Sequence, residues 1–314
     1  MKERSEVSLV CHRAKHDLDY WQLREFLRDL FRINGRREIS WQVARFDYFY
    51  CHILPNCAEQ KLDENAFYWS EEQGDIKALL VREVKICYLN TDPEFRQEGF
   101  LKEMLATAEK ELTFKNDDGK SKVAVEVSDD DSLMISLLQE HGFQKTDFYT
   151  ASRKRILNSP VPEPVLPPGF KIRNMLGRED HAARSLASWD AFHHNDDAQF
   201  HGDLDWYAVV EKIPMYRAQL DIVATTNDNR LIGFCTVSYD DVNRTAYFEP
   251  VGLIYDYHRK GLGRAMMLEG LRRAENLGCE IAFVSNNTDD AGELYEACGF
   301  ELDKLSHVWV KVLD

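Results

Sequence analysis

Residues 258–264, HRKGLGR, place two glycines among basic side chains directly before a stretch with helical periodicity. The run before them, residues 245–255, is β-branched and aromatic and predicts a strand. Where a strand turns into a helix, unpaired N–H groups and the positive end of the helix dipole face the turn. Glycine leaves no Cβ between that backbone and a ligand. This glycine turn therefore predicts a phosphate site, and a capped turn with a solvated basic rim is the alternative. Its residues are His258, Arg259, Lys260, Gly261, Leu262, Gly263 and Arg264.

Two common phosphate-binding motifs do not fit the glycine turn. A Walker loop requires Lys-Ser or Lys-Thr after its second glycine, where this chain has Arg264 and Ala265. A dinucleotide fingerprint requires a third glycine, where Met266 stands. It also requires an acidic residue at the end of the next strand, whereas Glu280 lies at the beginning of that strand.

The acidic composition of the chain makes the basic glycine turn a local exception. The formal net charge is −15, which argues against nonspecific binding of nucleic acid. No window approaches the roughly 18 consecutive apolar residues of a membrane span, so we expect no membrane partner. The seven cysteines are scattered and contain no CxxC pair. They indicate reduced thiols, and we expect a cytoplasmic protein.

A proline-rich segment divides the chain of 314 residues, which is long enough for two domains. Residues 158–170, NSPVPEPVLPPGF, hold five of the nine prolines. Such a density of proline removes backbone donors and favours extended geometry. We therefore predict a domain at 1–157, a linker at 158–168 and a domain at 169–314. A long surface loop within one domain is the alternative.

The two halves of the chain carry similar motifs in the same order, which favours two domains. Residues 137–143, LLQEHGF, resemble residues 294–300, LYEACGF. Upstream of these, Gly99 corresponds to Gly261 at nearly the same separation. Two matched pairs in the same order indicate duplication of one fold, with small differences in loop length.

Strands and helices alternate in the better-marked second half. Each predicted domain is therefore α/β, with a mixed, mostly antiparallel sheet flanked by helices. The first half follows the same plan. The predicted strands of the second half include residues 219–226, 230–239, 245–255 and 279–286. The predicted helices include residues 203–213, one that begins near Leu262, and one that carries Leu294, Tyr295 and Cys298 on a single face.

These motifs together resemble the GNAT superfamily of N-acetyltransferases. HRKGLGRA is similar to the family's acetyl-CoA pyrophosphate loop, Q/R-x-x-G-x-G/A, and LYEACGF is similar to its later Tyr-x-x-x-Gly-Phe helix end. The resemblance covers most of residues 170–314 clearly and residues 1–157 more faintly. His258 departs from the usual Gln or Arg, and Thr288 stands where Asn is frequent. Asn286 and Asn287, just upstream, are possible substitutes for that Asn.

The resemblance implies acetyl-CoA as the acetyl donor and assigns roles to further residues. In the family, the cofactor inserts where the glutamate-bearing strand separates from its neighbour, which here is roughly Val251 to Tyr255. The implied cofactor contacts are Leu253, Ile254, Tyr255 and Asn287, in addition to the glycine turn. Glu249 lies near the usual general base, with an exposed strand residue before Pro250 as the alternative. Tyr295 matches the usual general acid, with a core aromatic residue as the alternative.

The first copy of the motifs is more eroded. It keeps Arg96 and Gly99, but Leu101 replaces the second small residue and Leu138 replaces the tyrosine. A leucine side chain at that point would obstruct a phosphate near the backbone. We therefore predict a degenerate GNAT-like domain that supports the second one.

A cluster of histidines and aspartates in the second half invites a metal interpretation. It lies in a predicted loop and lacks a fixed helical or strand spacing, so we predict no metal site. In the GNAT family, the corresponding connection borders the acceptor, and this cluster would then select the substrate. The residues are His193, His194, Asp196, Asp197 and His201.

The sequence therefore predicts an acetyl-CoA-dependent N-acetyltransferase whose second domain acetylates a primary amine of a small molecule or peptide. A non-catalytic, CoA-binding or scaffolding protein is the alternative, because the first copy is eroded and His258 and Thr288 depart from the motif. The tandem arrangement also resembles mycothiol synthase, but no residue of the predicted acceptor region indicates that substrate.

Overall fold

The computed structural model describes residues 9–72, 74–115, 119–194 and 202–313. The chain forms two compact units, residues 1–150 with 304–314, and residues 151–303. Residues 304–314, which the sequence assigned to the second domain, group with the first unit because the last strand pairs antiparallel with a strand of that unit. The predicted linker at 158–168 contains neither helix nor strand. Independent folding of the two halves stays a prediction.

The first unit is a mixed sheet flanked by helices. Its strand order is β1-β2-β3-β4-β6-β13, with β5 beside β6, and only the β4–β6 pair is parallel. The strands are β1 (Val10–Arg13), β2 (Ala66–Ser70), β3 (Ile76–Glu83), β4 (Ile86–Thr91), β5 (Phe114–Lys115), β6 (Ser121–Ser128), the first part of β7 (Gln144–Ile156) and most of β13 (Glu301–Leu313). The helices are α1 (His16–Ile33), α2 (Val43–Tyr48), a π-helical segment (Phe49–Cys57), α3 (Glu98–Glu111) and α4 (Ser132–Glu140).

Two hydrophobic clusters form the core of the first unit. One contains residues of α3 and α4, such as Leu105 and Leu137, packed with Trp69 of β2. The other contains residues of α1, such as Leu27, packed with Leu79 of β3. Successive residues of β3 belong to different clusters, because Ala78 and Leu80 pack in the first cluster and Leu79 and Val81 pack in the second.

The second unit is also a mixed sheet flanked by helices. Its strand order is β7-β12-β11-β10-β9-β8, where β7 contributes residues 151–156, and only the β11–β12 pair is parallel. The strands are β8 (Phe170–Asn174), β9 (Asp221–Thr226), β10 (Leu231–Asp240), β11 (Thr245–Leu253) and β12 (Ile281–Asn286). The helices are α5 (His181–Phe192), α6 (Leu262–Asn276) and α7 (Asp289–Ala297). The predicted fold class is confirmed for both units.

Helix α6 is fixed closely against the sheet of the second unit. Its residues Met266, Met267 and Leu271 are fully buried. Gly270 lies on the same face, where a Cβ would come within 2.8 Å of the Phe248 ring. Because glycine lets helix and strand approach closely, the middle of α6 packs tightly against the middle of β11.

Candidate functional site

The parallel pairing of β11 with β12 is short, and the two strands separate beyond it. The pairing runs from Thr245 to Tyr247, and residues 250–253 at the end of β11 lie beyond it. On its other edge, β11 carries an irregularity in which Glu249 and Pro250 stand opposite the single residue Thr236 of β10. An extra residue of this kind bends a strand and increases its twist. A gap therefore opens in the sheet beside the second half of β11.

A cleft of about 500 Å³ lies at this gap. It is bounded by the end of β11, the glycine turn, the first turn of α6 and one face of α7. Its lining residues are Ala191, Phe192, Val251, Gly252, Leu253, His258, Arg259, Gly261, Leu262, Gly263, Arg264, Met266, Thr288, Asp290, Ala291, Glu293, Leu294, Tyr295 and Ala297. The volume and the mixed lining are those of a small-molecule site.

The glycine turn presents a run of unused backbone donors to this cleft. Within the described parts of the chain, the N–H groups of residues 259–264 donate no hydrogen bond, and the first bond of α6 runs from Ala265 N to Gly261 O. Gly261 is left-handed, with φ of +81°, and a Cβ there would meet no atom within 4 Å. Open space beside unpaired amides at the N-terminus of a helix suits an anion such as a phosphate.

Gly263 has a second physical reason to be glycine. A Cβ at this position would lie 3.2 Å from Cδ2 of Leu294, which is on α7. The close packing of α6 against α7 therefore restricts the size of the side chain at position 263, and this restriction is independent of any ligand in the cleft.

The basic side chains of the glycine turn are held by protein groups. Arg259 is exposed and pairs with Asp290 at 2.7 Å and Glu293 at 3.2 Å, both on α7. Arg264 Nε donates to the Ala297 carbonyl at 3.1 Å. Because two carboxylates oppose the charge of Arg259, the backbone amides are the principal anion donors of the turn.

The other two basic residues fix the backbone around the turn. His258 Nε2 donates to the Leu253 carbonyl at 2.9 Å, which ties the turn to the end of β11. Lys260 Nζ donates to the Asp256 carbonyl at 2.7 Å and lies over the Tyr257 ring. Lys260 is not among the residues that line the cleft, so its predicted contact with the cofactor stays a prediction.

Tyr295 and Glu249 approach each other at the gap. Tyr295 is buried, with 6% of its surface exposed, and lines the cleft. Burial raises the pKa of its hydroxyl, and the nearby Cys235 and Glu249 raise it further, so this hydroxyl remains protonated at neutral pH. Glu249 is half-buried in the irregular part of β11 and is close enough for its charge to act on Tyr295. Tyr295 therefore lines the cleft, whereas Glu249 does not line it and acts on Tyr295 through its charge.

Three other predicted cofactor residues lie outside the lining of the cleft. Ile254 is buried, and its N–H donates to the Ile232 carbonyl at 2.9 Å. Tyr255 is 56% exposed and stacks on His194 at 4.4 Å between ring centres. Asn287 is exposed. Their roles with the cofactor remain predictions.

Two residues that matter locally were not singled out as site residues. Asn286 accepts a hydrogen bond from Arg153 Nε at 2.8 Å and donates to the Thr288 carbonyl at 3.0 Å. Arg153 also pairs with Glu296 of α7 at 2.9 Å. Asn286 therefore fixes the start of α7 together with Arg153. The sequence gives no local signal for this contact, because Arg153 precedes Asn286 by 133 residues.

The corresponding turn of the first unit is built differently. Arg96 forms an ion pair with Asp131, the N-cap residue of α4. The N–H groups of Arg96 and Gln97 donate to Pro93 and Phe95. Leu101 is fully buried in the hydrophobic core, so its side chain does not fill the turn as the sequence suggested. Bonded backbone and the ion pair occupy the turn instead.

The predicted substrate-selecting cluster is described only in part. His193 stacks on Trp189 at 3.8 Å between ring centres, and His194 stacks on Tyr255. Asp196, Asp197 and His201 lie outside the described residues. Among the residues that are described, no group of three or more His, Cys, Asp or Glu side chains could hold a metal ion. In the same residues, no helix is long and apolar enough to cross a membrane.

Comparison with known sequences finds similarity to one family over the residues that line the cleft. Residues 183–300 match the acetyltransferase (GNAT) family. A mycothiol acetyltransferase of Frankia alni is 28% identical over 223 residues, which cover 67% of this chain and 65% of that protein. The chain thus matches less than two thirds of that relative's length.

Solved structures with the same fold cover nearly the whole chain. A GCN5-related N-acetyltransferase from Sphaerobacter thermophilus superimposes with a TM-score of 0.66 at 16% identity, covering 97% of this chain and 95% of that one. A tandem GNAT protein from the clavulanic acid biosynthesis pathway gives a TM-score of 0.66 at 13% identity, covering 97% and 98%. At these identities, the likeness shows the fold.

Proposed function

We propose that the second unit, in which residues 183–300 match the GNAT acetyltransferase family, binds acetyl-CoA in the cleft and acetylates a primary amine. The observation that carries the proposal is the separation of β11 from β12 directly beside the unused N–H groups of residues 259–264. A strand end that lies beyond the β11–β12 pairing and an anion-binding helix start together suit a long ligand that has a pyrophosphate in its middle.

The residues of the cleft fit such a ligand. When bound, acetyl-CoA supplies an activated acyl thioester. The amides of residues 259–264 hold its pyrophosphate, and the backbone of Val251 to Leu253 faces the arm that leads to the thioester. Leu253 is itself fixed by His258, so the end of β11 and the glycine turn are positioned together.

Glu249 and Tyr295 divide the proton transfers between them. Glu249 accepts the proton that the attacking amine loses as its nitrogen bonds to the acetyl carbon. Tyr295 donates its proton to the sulfur as the carbon–sulfur bond breaks, and it regains a proton from solvent after the product leaves. The raised pKa of Tyr295 keeps the phenol protonated at neutral pH, so its hydroxyl is present to donate to the sulfur.

The acceptor that we propose is a primary amine of a small molecule or peptide, and the first unit supports the second without binding acetyl-CoA. All seven cysteines are free, which accords with the cytoplasmic location that we propose.

The full chain provides the test. We expect acetyl-CoA to bind in isothermal titration calorimetry, and we expect free thiol to be released when a panel of primary amines is added. Failure to bind acetyl-CoA would contradict the proposal. Binding without transfer to any amine, even at high enzyme concentration, would favour the non-catalytic, CoA-binding alternative.

A further inference from the structure

Arg184 of α5 is a buried cation whose hydrogen-bond donors are all unused. Its side chain is fully buried, and Nε, Nη1 and Nη2 have no hydrogen-bond partner in the part of the chain that the structure describes. Buried polar groups in proteins are nearly always hydrogen-bonded, and buried charges are nearly always paired. An arginine in this state therefore calls for a specific physical explanation.

The surroundings of Arg184 are aromatic. The guanidinium carbon lies 3.5 Å from the centre of the Phe234 ring and 4.6 Å from the centre of the Tyr207 ring. Cation–π contacts of this kind hold the position of the charge but use none of the N–H groups. The planar fork of donors remains available for a carboxylate.

Asp221 is a buried acid on which the charge of Arg184 acts, and its oxygens are already in use. The Tyr207 and Tyr216 hydroxyls each donate to it at 3.0 Å, and the Thr236 hydroxyl donates at 3.1 Å. Burial raises the pKa of Asp221, and the charge of Arg184 acts against that rise. The two groups thus interact through space without a hydrogen bond, and Asp221 leaves the donors of Arg184 unpaired.

Arg184 lies one aromatic ring away from the cleft. The Phe234 ring lies against the guanidinium, and its Cζ atom faces Gly252. A Cβ at Gly252 would come within 2.2 Å of that Cζ atom. Phe192 meets the Phe234 ring edge-on at 5.9 Å and is 56% exposed. Gly252 and Phe192 both line the cleft. A shift of the Phe192 and Phe234 side chains would connect the guanidinium with the space beside the β11 strand.

We propose that Arg184 binds a carboxylate of the acceptor, so that the natural acceptor is an amine that also carries a carboxylate, as amino acids do. This inference rests on the proposed acetyl transfer and specifies its substrate class. Binding of such an acceptor converts unused buried donors into a two-pronged ion pair. An analogue that lacks the carboxylate leaves those donors unpaired and is rejected for that reason.

The first test compares matched amines on the wild-type full chain. The pairs are glycine and methylamine, β-alanine and ethylamine, L-ornithine and putrescine, and L-lysine and cadaverine. In each pair, only the carboxylate is missing from the second member. We expect kcat/KM for at least one amino acid to exceed that of its partner by about 100-fold or more, as for sites built to bond one substrate group.

The second test replaces the guanidinium. In Arg184→Met, the side chain still packs between the two rings but donates no hydrogen bond. We expect this variant to lose the preference for the carboxylate, mainly through a higher KM, while its melting temperature and its acetyl-CoA affinity stay close to wild type. The control is Arg153→Met, which removes a buried arginine whose donors are used by Asn286 and Glu296. That variant should melt at a lower temperature and keep the preference.

The outcomes separate this inference from the proposed function. Equal turnover of both members of every pair would overturn the carboxylate inference while acetyl transfer itself stands. If no amine is acetylated, binding is measured instead, by calorimetric titration of the four amino acids into the acetyl-CoA-loaded protein. Absence of binding by all four amino acids overturns the carboxylate inference. If Arg184→Met fails to fold, the arginine is required for folding. The inference then stands only if the wild-type protein prefers amines that carry a carboxylate.

Discussion

The two strand–turn–helix regions of the molecule share a framework and differ in what they can bind. In the first unit, β4 pairs in parallel with β6 over two residues, as β11 does with β12 over three in the second unit. A short parallel pairing is thus common to both copies. The β3–β4 pairing, however, has no irregularity like the one at Glu249, and β4 carries no carboxylate.

The turns that follow these strands differ more strongly. In the second unit, Gly261 adopts a left-handed conformation, and the N–H groups of residues 259–264 remain unused within the described chain. In the first unit, local carbonyls and the Arg96–Asp131 pair occupy the turn, and Leu138 stands where the other copy has a tyrosine. A gap between strands therefore belongs to the fold, whereas ligand binding depends on a few residues at the turn and the strand irregularity.

The largest expected effect comes from glycine substitutions in the two turns. Gly263→Leu places a side chain against Leu294 and into the cleft, so we expect loss of acetyl-CoA binding. Gly99→Leu is the control, because Gly99 is exposed and a Cβ there meets no atom within 4 Å. Calorimetry with folded samples measures both. Undiminished binding by Gly263→Leu would place the ligand elsewhere.

The next effect concerns the hydroxyl that the first copy lacks. Tyr295→Phe keeps the buried ring, so acetyl-CoA affinity and melting temperature should change little, while kcat falls by about 10²–10⁴-fold as for other proton-transfer groups. The control is Tyr239→Phe, whose hydroxyl donates to the Leu277 carbonyl. That change should cost about 1 kcal/mol of stability and leave kcat intact. Full turnover by Tyr295→Phe would show that the Tyr295 hydroxyl is not the general acid.

A smaller effect is expected at the strand irregularity. Glu249→Gln removes the proposed base, and we expect turnover to fall by about 100-fold at neutral pH. The loss should shrink as the pH rises, because the free amine then needs no base. The measurement is a profile of kcat/KM against pH for both proteins. Parallel profiles would assign Glu249 to binding of the acceptor.

The smallest expected effect is a pH dependence of stability in the second unit. Burial lowers the pKa of His181, but its hydrogen bond to Asp205 at 2.6 Å and its ion pair with Glu211 at 3.2 Å outweigh burial and raise that pKa overall. The contribution of protonated His181 to the free energy of unfolding is therefore fully present below a pH of about 6.5, the usual pKa of histidine. This contribution is lost as the pH rises through the raised pKa of His181.

Thermal unfolding measured between pH 6 and pH 9 tests this dependence. We expect the melting temperature of the wild type to decline over that range and the decline to be weaker in His181→Gln. An identical slope in both proteins would show that other groups control the dependence.

The sequence predicted features that depend on neighbouring residues. The glycine turn, the helix stripe that carries Tyr295 and the alternation of strands and helices all follow from local spacing. Contacts between distant residues were not predictable, as shown by the pairing of Arg153 with Asn286 and the grouping of residues 304–314 with the first unit. The burial of Arg184 also escaped prediction, because a charged residue in a helix normally faces solvent.

One predicted helix also took another form. Residues 203–213 were expected to be helical, and the structure has a 3₁₀ helix at Trp206–Lys212. Ile213 is extended there, as is usual for a residue that precedes proline, and Pro214 follows it. The predicted end of this helix therefore agrees with the structure to within one residue, whereas the type of helix and its start differ.

The central claim is that one of two similar units binds acetyl-CoA. The stoichiometry of acetyl-CoA binding to the full wild-type chain tests it most directly, by titration calorimetry at protein concentrations well above the dissociation constant. The account predicts one acetyl-CoA per chain. Two bound molecules per chain would show that the turn at Arg96 and Gly99 remains competent, and none would show that the unused amides of residues 259–264 serve another ligand.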